Sequence, residues 1–422
     1  METNDQNNNV RRERISIKLT IISLLCILLI IPWIFIRAMI SERDNTESMA
    51  EIEVYEKWGN GQCITGPFIQ VYNEKDLLLF SMLPETLDIT GDVRTRTLSR
   101  GIYDFTVYDA DITLAGTFLL PANLTDEQKH ALEQGNNRMT IDLSSLKGLT
   151  NNPVITIGGQ ELKPQEISNE EASLVWQVDI EPLLNDSTIG YEIHLPIRGS
   201  QSLDFVPTGN TTTARLHSDC ATPSFGGAFL PTERTVTDDG FDAQWRVLAL
   251  NRNYPQLLTK NTNFEMVESA FGVELRRPVE QYQQNERAVK YAFLVVLFTF
   301  AAVFFVEVRR EHPIHPVQYL LIGIAVMLFY TLLLSFSEHL SFPVAYLIAS
   351  VMTDAMITLY LSSIMHKRKV GFSVGGLLAL LYTFIFILLQ IESYALLVGS
   401  VGVFVLLAIA MSASRNIDWY RK

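Results

Sequence analysis

Few side chains in this 422-residue chain have the type and spacing for chemistry. The run Glu311-His312-Pro313-Ile314-His315-Pro316 carries a His-x-x-His spacing that could hold a metal on a helix. Two prolines in six residues oppose a helix there, so the sequence argues against a metal. Glu338-His339 forms a second acid–imidazole pair, and Asp354 stands inside a long apolar run. An ionisable group at mid-membrane is costly and is a functional hypothesis by default. No Lys or Arg lies in the middle of another apolar run to pair with Asp354. Two readings stay open: a proton-coupled role, or a packed neutral carboxyl bonded to Ser350, Thr353 or Thr358. Cys63 and Cys220 lie in the polar middle of the chain, and Cys26 in an apolar run. An oxidising compartment would permit a Cys63–Cys220 disulfide; two unpaired thiols are the alternative.

Other chemical signals are missing. The sequence has no glycine-rich phosphate loop, no G-x-S-x-G elbow and no Cys/His cluster at zinc spacing. The acidic pairs Asp109/Asp111 and Asp238/Asp239 lack a calcium-loop pattern and read as solvated strand edges or loops. His130, His194 and His217 are scattered without recurring partners. The expectation is therefore a protein without catalytic residues, cofactor or metal: not an enzyme.

The elements that must position these residues are mainly apolar helices. Five apolar stretches run over Tyr291–Val306, Val317–Ser335, Val344–Met365, Gly371–Gln390 and Tyr394–Met411. A helix needs about 20 mostly apolar residues to cross the hydrocarbon core. An earlier apolar run, Leu19–Ile36, follows Arg11, Arg12, Arg14 and Lys18 and ends in Trp33 and Arg37. It is too long for a signal peptide and lacks a small-residue cleavage site, so it reads as an uncleaved first membrane helix. Gly371-x-x-x-Gly375 and Ala408-x-x-x-Ser412 suit close helix packing.

Charge then sets an expected topology. The loops 307–316 and 366–370 and the closing tail carry Lys and Arg, whereas the loops 336–343 and 391–393 carry none. The positive-inside rule places both termini inside and residues 41–290 outside. That segment carries 20 Lys and Arg against 37 Asp and Glu, a net of −17 within a whole-chain net of −13. An acidic domain of this kind argues against nucleic acid as a partner. The expected organisation is an inner tail (1–18), a first membrane helix (19–40), an outer domain (41–290), a five-helix bundle (291–411) and an inner tail (412–422).

The outer segment reads as β-rich. Strands are expected at Phe68–Tyr72, Ile102–Tyr108, Ile112–Leu119, Met139–Leu143, Leu174–Ile180, Tyr191–Ile197, Thr211–Leu216, Phe241–Leu250 and Phe264–Leu275. Val154–Ile157 running into Gly158-Gly159 signals a hairpin. Thr125-Asp126-Glu127-Gln128 is a capping box opening one short helix. The fold class expected is thus an α+β membrane protein: six helices with a large β-rich domain between the first and second, built as a sandwich or layered antiparallel sheets. Asn151–Pro153 or Pro207–Asn210 could join two subdomains.

These residues also carry a resemblance. His315-Pro316-Val317-Gln318-Tyr319-Leu320-Leu321-Ile322-Gly323, then Phe329-Tyr330, Ser337-Glu338-His339 and the closing Arg415-Asn416-Ile417-Asp418-Trp419-Tyr420, are similar to the CreD family of bacterial inner-membrane proteins. The likeness extends through Gly66-Pro67, Leu83-Pro84-Glu85, Gly101-Ile102-Tyr103, Pro223-Ser224-Phe225, Phe229-Leu230-Pro231 and Gln281-Tyr282. Glu280 stands where the family pattern has Asp; His312 and Asp354 lie outside that pattern, which weakens metal or proton roles for them. The resemblance implies a multi-pass protein of the cytoplasmic membrane linked to envelope integrity, envelope stress and colicin tolerance, with no agreed biochemical activity. It implies as partners the lipid bilayer and an envelope component or protein. A small transporter or channel using Asp354 is the rival expectation.

Overall fold

In the computed structural model, the described residues are 17–122, 124–134, 136–162, 166–168, 172–259, 264–275, 280–310, 312–391 and 394–415. Arg11, Arg12, Arg14, Glu311, Asn416, Asp418 and Trp419 lie outside them. Two compact units emerge: one of residues 1–47 with 279–422, the other Ser48–Pro278.

The first helix, α1, runs over Ile17–Trp58. The sequence reading ended it at residue 40; the helix continues because no Pro or Gly interrupts Ser41–Trp58 and because its last turns find partners. Tyr55 is buried with Phe105 and Val107, its ring 6.1 Å from that of Phe105. Glu53 meets both Lys57 and Arg100. Gly59, at φ +148°, then turns the chain away, its N–H closing on the Tyr55 carbonyl at 2.8 Å.

Residues 62–274 form two sheets around one core. The first contains β1 (Gln62–Tyr72), β2 (Leu78–Met82), β5 (Asn137–Leu143), β8 (Glu166–Ser168), β9 (Ser173–Gln177), β11 (Ser202–Phe205), β13 (Ser224–Gly227), β16 (Leu257–Thr259) and β17 (Phe271–Glu274). The second contains β3 (Thr86–Arg100), β4 (Tyr103–Leu119), β6 (Val154–Ile157), β7 (Gln160–Leu162), β10 (Thr188–Ser200), β12 (Thr211–Ser218), β14 (Glu233–Thr237) and β15 (Gly240–Leu248). Its order is β14-β15-β12-β3-β4-β10-β6-β7. β10 alternates exposed and buried along nearly its whole length, the pattern of a sheet with one wet face. Ile89 and Leu114 of the second sheet share a single buried cluster with Ile69 and Met139 of the first, so neither 151–153 nor 207–210 divides the domain. Trp176 and Trp245 are fully buried in that cluster, and the Trp245 indole N–H donates to the Phe229 carbonyl at 3.2 Å. Burying each large side chain contributes about 1.5–3 kcal/mol.

Most expected strands are present, with three differences. Ile102–Tyr108 and Ile112–Leu119 are one strand, β4, paired along its length with β3, which the sequence reading did not mark. Only Phe271–Glu274 of the expected Phe264–Leu275 strand is extended; Met266–Ser269 is a 3₁₀ turn. The sheets are not wholly antiparallel, because β1 pairs β11 and β12 pairs β3 in parallel. The expected Gly158-Gly159 hairpin joins β6 to β7, and Thr125 caps α2 (Asp126–Glu133) by the reciprocal bonds with Gln128. A short α3 (Glu181–Asp186) precedes β10.

The other unit holds α4 (Glu280–Lys290), α5 (Ala292–Arg310), α6 (Pro316–Ser337), α7 (Phe342–Ile364), α8 (Arg368–Gln390) and α9 (Ala395–Arg415). Among the described residues five helices, α1 and α5 to α8, are long and apolar enough to cross a membrane; Leu396–Ile409 within α9 is a shorter apolar stretch. Gly371 and Gly375 form the α7–α8 seam. A Cβ on Gly375 would come within 2.1 Å of the Thr358 hydroxyl, and one on Gly371 within 2.0 Å of that of Ser362. Only Gly allows this approach.

Candidate functional site

The signature at the start of α6 is a helix cap built around a buried carboxylate. Pro316 takes the first helical position, where its missing N–H costs nothing. His315 precedes it as N-cap: its Nδ1 accepts the Val317 N–H at 3.3 Å. Gln318 reaches back, its Oε1 accepting the His315 N–H at 2.9 Å. Tyr319 then points its hydroxyl at Glu307 of α5, donating to Oε2 at 2.8 Å. Glu307 is 5% exposed, and its Oε1 accepts the Ile314 N–H at 2.9 Å and meets the Lys18 ammonium of α1. One carboxylate thus ties α1, α5, the 312–315 turn and α6 together. His312 and His315 are in a non-helical segment, and His315 spends Nδ1 on the cap. Among the described residues no group of three or more His, Cys, Asp or Glu is placed to hold a metal.

The other end of α6 is also tied to α1. Glu338, at the helix C-cap, lies 3.4 Å from the Arg43 guanidinium. Beside it the Asn285 amide of α4 donates to the Ser337 hydroxyl at 2.8 Å, while the Trp33 indole of α1 donates to the Val289 carbonyl at 3.0 Å. Arg37 stacks over Trp33 and pairs loosely with Glu286 at 3.6 Å. His339 is exposed, while Glu338 faces Arg43. Arg415 is the exposed last residue of α9.

Asp354 sits midway along α7. Of the three hydroxyl partners considered for it, Thr358 is the one in place, at a long 3.5 Å. Ser350 and Thr383 line the same groove but donate to the Leu347 and Ala379 carbonyls of their own helices. The groove runs between α7 and α8, with a volume of about 570 Å³, and Val344, Leu347 and Val351 on its rim are outward-facing.

In the β domain, Cys63 and Cys220 lie in different surroundings. Cys63 packs with Phe68 and Tyr254, whereas Cys220 lies in the inter-sheet core. Burial and the nearby Asp204 carboxylate push the Cys63 thiol up to about 11, so little thiolate forms at neutral pH. The Asp204 carboxyl is itself raised, by burial first and then by Glu274. The outer face of the second sheet carries a polar concavity of about 530 Å³ lined by Thr90, Asp92, Asp111, Arg215, His217 and Gln244. Asp92 and Asp111 face each other across β3 and β4, and His217 bonds Asp242 at 2.9 Å.

Sequence reasoning found the signature residues as a string but missed Glu307, Lys18 and the sheet face as parts of sites. The signal for Glu307 was present: an acid between Val306 and Val308 at the end of an apolar run.

Comparison with known proteins bears on the whole chain. Residues 14–420 match the family described as Inner membrane protein CreD. Inner membrane protein CreD of Escherichia coli (strain K12) is 30% identical over 420 residues, covering 93% of this chain and 91% of that protein. Cap, buried carboxylate and apolar helices all fall within the matched span, and the chain belongs to the CreD family of inner membrane proteins.

Proposed function

We propose that this protein is a non-enzymatic anchor that presents its β domain outside the cytoplasmic membrane and supports envelope integrity through what that domain binds. The observation that carries this reading is the β domain itself: Ser48–Pro278 forms its own compact unit with its own core and an open polar sheet face. Binding specificity needs polar groups fixed on a rigid surface, and the strands of the second sheet supply them. Its surplus of acids favours neutral or cationic envelope partners, an effect that salt weakens.

In this reading the chain crosses the membrane six times with both termini in the cytoplasm. The Lys and Arg bias of the short loops supports that arrangement. A transporter using Asp354 has less support, because that residue lines a groove on the outside of its helices.

The test joins residues 41–290 to an unrelated single-helix anchor and measures envelope-stress tolerance in a deletion strain. Restored tolerance is the expected result. An exported, folded chimera that restores nothing would show that the helices do more than anchor.

A further inference from the structure

We propose that the groove between α7 and α8 is a docking site for a partner's transmembrane helix that carries a basic residue at mid-span. The groove leaves particular hydrogen-bonding capacities open. Ser350 and Thr383 commit their hydroxyl protons to the carbonyls of Leu347 and Ala379. Tyr346 donates to the Tyr382 carbonyl, and Tyr382 lines the groove with a buried hydroxyl that has no partner among the described residues. Besides that hydroxyl the groove presents acceptor oxygen, two hydroxyls and the Asp354 carboxyl, whose one bond among the described residues is the long contact from Thr358. The one uncommitted donor among the described lining residues, the Tyr382 hydroxyl, is neutral, and a carboxylate in an apolar medium calls for a cation.

Depth narrows the occupant. Asp354 is twelve residues into the 23-residue helix Phe342–Ile364, about 18 Å along an axis of about 34 Å. A lipid amine holds its nitrogen at the interface, well short of that level, and an acyl chain has no donor. A second copy of this chain has no Lys or Arg at mid-span in any of its apolar runs. The groove extends from Pro343 to Asp354, about three helical turns, a length that suits one face of a helix. This inference is independent of what the β domain binds and needs only that α7 and α8 cross the bilayer.

The test uses the full-length protein in phosphatidylcholine vesicles with two synthetic peptides. Each is a leucine–alanine transmembrane helix with a photoreactive leucine near its centre; one has a central lysine, the other a central leucine. The lysine peptide is expected to give roughly 10-fold more adduct, a difference of about 1.4 kcal/mol, mapping to the Leu347–Asp354 and Ala379–Phe386 walls. Asp354→Asn should bring labelling down to the level of the leucine peptide, and Asp354→Glu should keep most of it. Leu347→Trp, which fills the groove and leaves the carboxyl, should also abolish the difference. Equal labelling by both peptides, indifference to Asp354→Asn and Leu347→Trp, or adducts elsewhere would overturn the proposal. So would hexadecylamine displacing the lysine peptide as well as unlabelled peptide does, since the occupant would then be a lipid amine.

Discussion

Glu307 and Asp354 are the same functional group in two apolar helices, and the chain treats them in opposite ways. Glu307 is closed: a backbone N–H, a tyrosine hydroxyl and a lysine ammonium all converge on it, and it is almost fully buried. Asp354 is open, with one long bond among the described residues, from its own helix, and a groove in front of it. A buried carboxylate with every partner in place holds structure together, because removing it strands its partners. A carboxyl left half-satisfied does little for stability and is free to serve something else.

The sharpest way to break this contrast is Glu307→Ala. It leaves the Lys18 ammonium, the Tyr319 hydroxyl and the Ile314 N–H without their acceptor, and should cost about 3–5 kcal/mol. The measurement is reversible unfolding in mixed micelles; a loss below about 1 kcal/mol would mean the carboxylate is not a tie point. Next comes Tyr319→Phe, which removes one bond to a charged group and should cost about 1.5–3 kcal/mol in the same assay. Gln318→Ala removes one cap bond and should cost about 1 kcal/mol. The smallest effect belongs to Asp354→Asn, expected within about 0.5 kcal/mol of the parent. Should it destabilise as much as Tyr319→Phe, Asp354 is a structural group and the contrast fails.

The same contrast shows how far the sequence reached. The apolar helices were legible because length and hydropathy are local properties. The string His315-Pro316-Val317-Gln318-Tyr319 was visible, and a cap can be read from it, but its anchor cannot: Lys18 and Glu307 are far apart in the chain and meet only through folding. In the β domain, β10 and β12 announced themselves by alternation. β3 did not, because Asp88, Asp92, Arg94 and Arg96 on its wet face mask Leu87, Ile89 and Val93 on its dry one. The parallel pairing of β3 with β12 joins strands more than a hundred residues apart, and no local pattern encodes it. The end of α1 was misplaced for a related reason: Tyr55 is held by Phe105 and Val107 from a distant strand.

The two ties between α1 and α6 also constrain the order in which the protein is made. Lys18 leaves the ribosome about 290 residues before Glu307, an interval of about 15–60 s at ordinary translation rates. During that time the first helix is already made, with neither Lys18 nor Arg43 yet matched to Glu307 or Glu338. The intervening β domain must be synthesised before the acids that receive them exist. Completion of the helical bundle is thus a late event, and a chain released early would leave its first helix without the bonds that fasten it.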